Sequence, residues 1–276
     1  MTYVRLPEFE AVQTMYLFSM HPFLPLIASS CYIVGCLLGN FKNRHLRHVS
    51  TTAKVQVSTQ TKMWMMLHNV AMMIFSTWIF SETIFLVGHT FFIADISFVQ
   101  AVCDEADMMY KQGMGWYTWL FYLSKYYEIM DSYILFKQGK QISLLQMFHH
   151  SGSIWAMWLL TTNGGSFSWP FTVLNSGVHA VMYYYYTLTT IGFHPQWKQW
   201  VTRLQIAQFC MGGSIGLLFG FFQCQRYEFN PDDAFARLLG WNRGDAQMLC
   251  NALTLGFVGC LIVMFTHFSN TTYCRK

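Results

Sequence analysis

Charged side chains are scarce in this 276-residue chain. Asp, Glu, Lys and Arg make up 11% of it, where a soluble globular domain carries roughly 25%. Set beside 54% hydrophobic residues, that shortage excludes an ordinary soluble domain and points to a membrane protein. A basic n-region and a small-residue cleavage site are both missing from the first 20 residues, so no cleavable signal peptide is expected. Internal repeats and low-complexity tracts are also missing, and residues 1–276 read as a single domain. What is abundant is aromatic or sulfur-bearing: 25 Phe, 18 Met, 15 Tyr and 10 Trp, as in a lipid-facing bundle with interfacial aromatics.

Seven apolar stretches come close to the ~20 residues needed to cross the hydrocarbon core. They cover 21–39, 63–87, 116–136, 143–161, 168–191, 198–223 and 247–268, and predict an all-α integral membrane protein with seven transmembrane helices. Acids are absent from the connection 40–62, which holds Lys42, Arg44, Arg47, Lys54 and Lys62. The positive-inside rule sets that side to the cytosol. Alternation adds Lys137, Lys140, Lys198, Arg203, Arg275 and Lys276 to it, giving eleven basic residues and no acid, whereas ten acids fall on the lumenal side. The expected N-terminus is lumenal and the C-terminus cytosolic, and the Asn270-Thr271-Thr272 sequon should stay unmodified. Cys103 and Cys224 sit on or beside lumenal connections, where a disulfide can persist, and pairing is expected; two free thiols are the alternative. Cys31, Cys36, Cys250 and Cys260 lie in spans and read as small packing residues.

Ionisable groups inside an apolar span cost roughly 2.5–3.5 kcal/mol each at mid-bilayer, so they call for a functional reading. The third span carries Lys125, Glu128 and Asp131 three residues apart, then Ser132. The fourth carries Gln146, His149 and His150 on one helical face. On the fifth, Asn175, His179, Met182 and Tyr186 share a face; on the sixth, Thr202, Gln205 and Gln208 do. His149 and Gln205 fall about 10 Å inward from the cytosolic helix ends and His179 about 18 Å, at 1.5 Å per residue. All four sets therefore predict one buried polar chamber reached from the cytosol. Plainer readings stand beside this one. Lys125–Glu128 also fits an ion pair that holds helices together. Thr202, Gln205 and Gln208 also fit interhelical hydrogen bonding, and the Tyr183–Tyr186 run fits packing.

These sets resemble the ELO family of very-long-chain fatty-acid elongases, the condensing enzymes of the endoplasmic reticulum. The KxxExxD pattern is met by Lys125, Glu128 and Asp131, with Ser132 where threonine is usual. The HxxHH box appears as QMFHH, with Gln146 in first position. NxxxHxxMYxYY is met by Asn175, His179, Met182, Tyr183, Tyr185 and Tyr186, and TxxQxxQ by Thr202, Gln205 and Gln208. The resemblance implies seven helices, six of them in a barrel around an acyl tunnel. It implies condensation of acyl-CoA with malonyl-CoA to a 3-oxoacyl-CoA two carbons longer, with loss of CO2 and CoA. It also implies membrane lipid, the ketoacyl reductase, dehydratase and enoyl reductase of the elongation cycle, and a second copy of the chain as partners; no nucleic acid and no cofactor or metal is expected. A QxxHH box is similar to that of elongases acting on polyunsaturated chains. It also means that the first position needs no titrating group, because glutamine donates and accepts hydrogen bonds without ionising.

Cysteine is missing from all four motifs, which disfavours a thiolate route. A neutral imidazole can form a reactive acyl-imidazole, and His149 is the candidate nucleophile, as the family resemblance also implies. His150 is assigned to orient the site or donate to the enolate. His179 is assigned to the malonyl or thioester oxygen, Asn175 to an oxyanion hydrogen bond and Asp131 to fixing an imidazole tautomer. Lys125 is expected either to bind CoA phosphates or to pair with Glu128. Gln146, Tyr183, Tyr186, Thr202, Gln205 and Gln208 complete the candidate substrate-binding set. Gly212, Gly213, Gly216, Gly220, Gly256 and Gly259 either leave room for an acyl tail or permit close helix packing. Two other function classes share some of these features. A histidine-box oxygenase needs more imidazoles than one adjacent pair plus His179. A seven-helix receptor or transporter has the same topology but no use for a buried Lys-Glu-Asp stripe beside histidines.

Overall fold

Within lipid no water is available for backbone N–H and C=O groups, so a chain of long apolar stretches has to bond them internally. The computed structural model describes residues 9–49, 58–104, 108–162, 167–224 and 243–274, and these form helices and their connections without a strand. In order they are α1 Glu10–Ser19, α2 Phe23–Val49, α3 Thr59–Phe92, α4 Phe98–Cys103, a wide turn Tyr110–Met114, α5 Gly115–Tyr127, α6 Met130–Lys137, α7 Leu144–Thr162, α8 Ser168–Thr190, α9 Lys198–Phe221, α10 Arg243–Ser269 and a last wide turn, Asn270–Cys274. Of the eleven basic residues used to set the orientation, Lys54, Arg275 and Lys276 lie outside the described residues, as do the acids Glu8, Glu105, Asp107, Glu228, Asp232 and Asp233.

Among the described residues four stretches are both long and apolar enough to cross a membrane: Phe23–Asn43, Thr59–Phe92, Lys198–Phe221 and Asp245–Tyr273. Their outward faces carry large apolar side chains such as Trp64, Phe85, Leu217 and Val263, all exposed. The other three expected spans coincide with α5–α6, α7 and α8, the helices that carry the charged and histidine motifs. Polar residues lower the apolar character of α7 and α8, and the third expected span is interrupted. Residues 116–136 are not one helix as expected: α5 ends at Tyr127 and α6 begins at Met130. Asp131 N–H bonds the Glu128 carbonyl at 3.0 Å and Ser132 N–H the Ile129 carbonyl at 3.1 Å. These tighter i to i+3 bonds turn the chain between Glu128 and Asp131.

α7, α5, α8, α9 and α10 pack in a closed ring in that order, with α3 along α8 and α2 along α7. Small residues set the closest approaches. A Cβ on Gly152 of α7 would lie 2.2 Å from Phe257 of α10. One on Gly216 of α9 would lie 2.8 Å from Leu255, and the Asn251 amide donates to the Gly216 carbonyl at 3.1 Å. Gly212 and Gly213 also meet neighbouring side chains, whereas Gly220, Gly256 and Gly259 face open space. Of the two roles left to these glycines, Gly216 serves close packing, whereas a Cβ at Gly212 or Gly213 would make only ordinary contacts.

The two ends of the bundle differ. At one end Cys103, closing α4, is bonded to Cys224, just past α9, across 121 residues of sequence. There the ring nitrogens of Trp119 and Trp158 donate to Ser19 Oγ (2.8 Å) and to the Met20 carbonyl (3.0 Å), which seats the unanticipated α1 against α5 and α7. The largest buried cluster, including Trp119, Phe121, Ile154, Trp158 and Phe219, fills this half. At the other end, Asn40 and Asn43 of α2 grip the α6–α7 connection: Asn40 makes both backbone bonds of Ile142 (2.7 and 2.9 Å), and Asn43 donates to the Lys140 carbonyl at 2.8 Å.

Candidate active site

A cavity of about 620 Å³ opens at the α6–α7 end. Its wall draws on α3, the α5–α6 pair, α7, α8, α9, α10 and the last turn, while α2 stands outside it. His149, His150, His179, Asn175, Asp131, Glu128, Gln146, Tyr186, Thr202, Gln205 and Gln208 all line it, with Lys140, His194 and Lys198 among the basic groups. Four motifs spread over 84 residues of sequence thus meet in one chamber.

The box histidines start one turn inside α7. Ser143 precedes the helix, and its hydroxyl accepts the Gln146 N–H at 3.1 Å, the usual N-terminal cap. His149 stands edge-on to Phe209 of α9 and Phe265 of α10, with ring centroids 6.3 and 6.1 Å away. Its neighbour His150 is turned toward Tyr32 of α2 (5.9 Å), and the two imidazoles are 5.5 Å apart. His179, on α8, lies against Phe121 and Tyr183. The Nδ1 atoms of His149, His150 and His179 are all buried without a hydrogen-bond partner among the described residues. A buried unpaired acceptor or donor costs about 1–3 kcal/mol, so the fold leaves a costly unsatisfied nitrogen on each of the three imidazoles. No group of three or more His, Cys, Asp or Glu residues among the described residues is arranged to hold a metal.

Beneath His179 runs a buried polar chain. Lys125 Nζ donates to Glu128 Oε1 at 2.8 Å and to Asn175 Oδ1 at 3.0 Å, and sits 3.8 Å over the Phe121 ring. The Asn175 amide continues to Gln208 Oε1 at 3.3 Å. Glu128 Oε1 is also 3.5 Å from His179 Nδ1, and its Oε2 has no partner among the described residues. A second network ties helices together: Ser132 Oγ is shared by the Tyr32 hydroxyl (2.8 Å) and the Gln146 amide (3.1 Å), joining α2, α6 and α7.

The sequence comparisons bear directly on this chamber. The family described as ELO: GNS1/SUR4 matches residues 17–276. The chain belongs to the ELO family. It is similar to fatty acid elongase sre1 of Dictyostelium discoideum, 39% identical over 116 residues, 41% of this chain and 43% of that protein. It is similar to fatty acid elongase 2 of Trypanosoma brucei brucei, 32% identical over 127 residues, 45% of this chain and 47% of the relative. It is also similar to very long chain fatty acid elongase 1 of Mus musculus, 34% identical over 163 residues, 55% and 56% of the two chains. The chain spans about half the length of the curated relatives it matches.

Two motif residues of this ELO protein are not on the chamber wall. Lys125 is 2% exposed and committed to Glu128 and Asn175, so of its two expected roles it fills the ion pair and does not reach CoA phosphates. Tyr183, expected to contact substrate, is fully buried and donates its hydroxyl to Asp131 Oδ2 at 2.8 Å. Thr202 approaches the Tyr273 hydroxyl (3.4 Å) and the Gln205 amide meets Met182 Sδ (3.4 Å), so these residues link elements as well as line the chamber. The imidazole that Asp131 orients is neither box histidine. It is His68 of α3, whose Nε2 lies 2.8 Å from Asp131 Oδ1. His68 and Tyr273 were not singled out from the sequence. A lone histidine inside the apolar run MWMMLHNVAMM was the available signal for the first; nothing local marks the second.

Proposed function

We propose that this chain is the condensing enzyme of fatty-acid elongation. It joins a long-chain, polyunsaturated acyl-CoA to malonyl-CoA and releases a 3-oxoacyl-CoA, CO2 and CoA. The observation that carries the reading is the convergence of three imidazoles, His149 and His150 from α7 and His179 from α8, on the wall of one cavity. Family membership and relatives named fatty acid elongases support it.

The chemistry follows from what those groups can do. A neutral imidazole nitrogen of His149 attacks the thioester carbonyl, the C–S bond breaks, and CoA leaves as a thiolate that takes up a proton. The acyl group then rests on His149. Malonyl-CoA loses CO2, and the electrons of the broken C–C bond become a thioester enolate. The enolate carbon attacks the acyl carbonyl, the C–N bond breaks, and the released imidazole nitrogen takes up a proton from solvent, the one proton the condensation consumes, which restores neutral His149. His179 and Asn175 supply hydrogen bonds to the oxygens on which charge develops, which is the largest contribution fixed dipoles make in a dry site. His150 orients the site. No group beyond the two thioesters is needed for these steps. Gln146 supports a box whose first position is a hydrogen-bonding tie, since its amide is used on Ser132.

The Lys140, His194 and Lys198 rim suits CoA phosphates, and the run of Lys137, Lys140, Lys198 and Arg203 at this end suits a cytosolic mouth in the endoplasmic reticulum membrane. On the same reading the protein crosses the membrane seven times in contact with lipid, hands its product to the ketoacyl reductase, dehydratase and enoyl reductase in turn, and forms a homodimer. The purified protein should release CO2 from malonyl-CoA only when acyl-CoA is present. Cells expressing it and fed fatty acids of several lengths and unsaturations should accumulate products two carbons longer, polyunsaturated ones first. Acyl-independent release, or unchanged lipids with every feed, refutes the reading in favour of a receptor or an oxygenase.

A further inference from the structure

The elongase mechanism leaves one buried ionisable pair without a task. Asp131 and His68 come from α6 and α3 and meet at 2.8 Å, with side-chain exposures of 17% and 2%. The His68 ring is clamped between Tyr127 and Tyr183, with centroids 5.2 and 5.7 Å away. Its Nδ1 has no partner among the described residues, so the ring proton belongs on Nε2, facing the carboxylate. Tyr183 donates to the other carboxylate oxygen. Neither donor lines the cavity, whereas Asp131 does.

Counting lone pairs shows what is left. An ionised carboxylate has about four acceptor sites, and His68 and Tyr183 take one on each oxygen. Each oxygen retains acceptor capacity, and Asp131 is the member of this trio that lines the cavity. Among the described residues no lysine or arginine pairs with Asp131; its side-chain partners are the His68 ring and the Tyr183 hydroxyl. A fixed carboxylate of this kind repels an anion and accepts from an N–H or O–H. The free malonyl carboxylate and the CoA phosphates are therefore the wrong ligands for it. The arm of a CoA thioester, which carries secondary-amide N–H groups and a hydroxyl, is the right one.

Depth agrees with that assignment. Asp131 lies six residues inward from Lys137, about 9 Å along α6, and His149 lies five residues inward from Leu144, about 8 Å along α7. A thioester whose carbonyl reaches His149 from the mouth brings its amide-bearing arm past the α6 wall. We propose that Asp131 is an acceptor for the amide or hydroxyl hydrogens of the thioester arm, and that His68 is the positioning residue that aims it. This rests on the elongase reading of the chamber.

The test uses the full chain in nanodiscs and two acyl donors with the same acyl group: the CoA thioester, and an S-butyl thioester that has the reacting carbonyl but no N–H or O–H. His68→Phe removes the donor to Asp131. It should raise the KM for acyl-CoA at least tenfold with kcat within threefold, and leave kcat/KM for the S-butyl thioester unchanged. His68→Gln, whose amide nitrogen can stand where Nε2 stood, should return the acyl-CoA KM to within threefold of wild type. Tyr183→Phe deletes one hydroxyl with little change of volume and should give the same donor-selective loss, which covers the case in which His68→Phe fails to fold. Equal losses with both donors, or no loss with either, overturn the proposal and leave His68 a brace. A wild-type protein that turns over neither donor with malonyl-CoA removes the elongase reading, and the arm site falls with it.

Discussion

At the scale of single residues, His149 and Lys125 face opposite tests. His149→Ala takes away the nitrogen that would carry the acyl group. Turnover should fall by about a thousandfold or more, because loss of a nucleophile removes a step and not a contact. Mass spectrometry of wild-type protein incubated with acyl-CoA alone should find the acyl mass on the peptide containing His149, and not in the variant. An adduct elsewhere would reassign the nucleophile. Lys125 touches no cavity, yet removing it should cost more in stability. Lys125→Met strands Glu128, itself wholly buried and already short of a partner at Oε2. Breaking one half of a buried ion pair costs about 3–5 kcal/mol. The melting temperature in detergent should drop well below wild type, and the double variant Lys125→Met with Glu128→Gln should recover most of the loss. A single variant that melts like wild type would show that the pair contributes nothing to folding.

At the scale of elements, the chamber depends on how closely α7 lies against α10. Gly152 permits that approach, since any Cβ there would overlap the Phe257 ring. Gly152→Ala must displace Phe257 or the helix that carries His149, at a cost of about 1–3 kcal/mol for overpacking. The expected outcome is a lower melting temperature together with lower turnover. Adding Phe257→Leu should restore both. Recovery of stability without activity would place the Gly152 effect outside the site. α5 and α6 show the converse device. The tight turn at Glu128–Ile129 lets one motif serve two networks, with Lys125 and Glu128 facing α8 and Asp131 and Ser132 meeting α3, α2 and α7. In a straight helix Lys125 and Asp131, six residues apart, would already differ by about 120° around the axis, and the i to i+3 bonds adjust that division locally.

Across the whole molecule, the chamber sits at one end and the Cys103–Cys224 disulfide at the other, with the largest buried cluster between them. The disulfide closes a long loop, and losing such a bond typically costs about 2–5 kcal/mol. Cys224→Ser should therefore lower thermal stability, visible as an earlier melt under non-reducing conditions. Condensation at 25 °C by the surviving folded protein should stay within twofold of wild type, because no chamber residue touches the bond. Digestion without reductant should recover the two cysteines on one linked peptide. Equal melts for wild type and variant would show that the clamp adds nothing to the bundle.

Much of this arrangement was legible in the residues themselves, because lipid imposes simple local rules. A shortage of charge and apolar runs near 20 residues announce helices. Polar residues at helical spacing on Gln146–His150 and Asn175–Tyr186 identify faces that must turn inward, since exposing them to hydrocarbon is costly. Tertiary structure decided which inward residues meet. The interruption of the third span depends on two i to i+3 bonds that no proline or glycine foretells. Lys125 and Tyr183 stand behind the chamber wall, each bonded to residues that line it: Lys125 to Glu128 and Asn175, Tyr183 to Asp131. His68 joined the site from a helix whose pattern reads as plain membrane span. Periodicity reports which way a side chain points from its own helix. Its partner is chosen by how helices distant in sequence are rotated and spaced, and that is settled by packing at places such as Gly152 and Gly216.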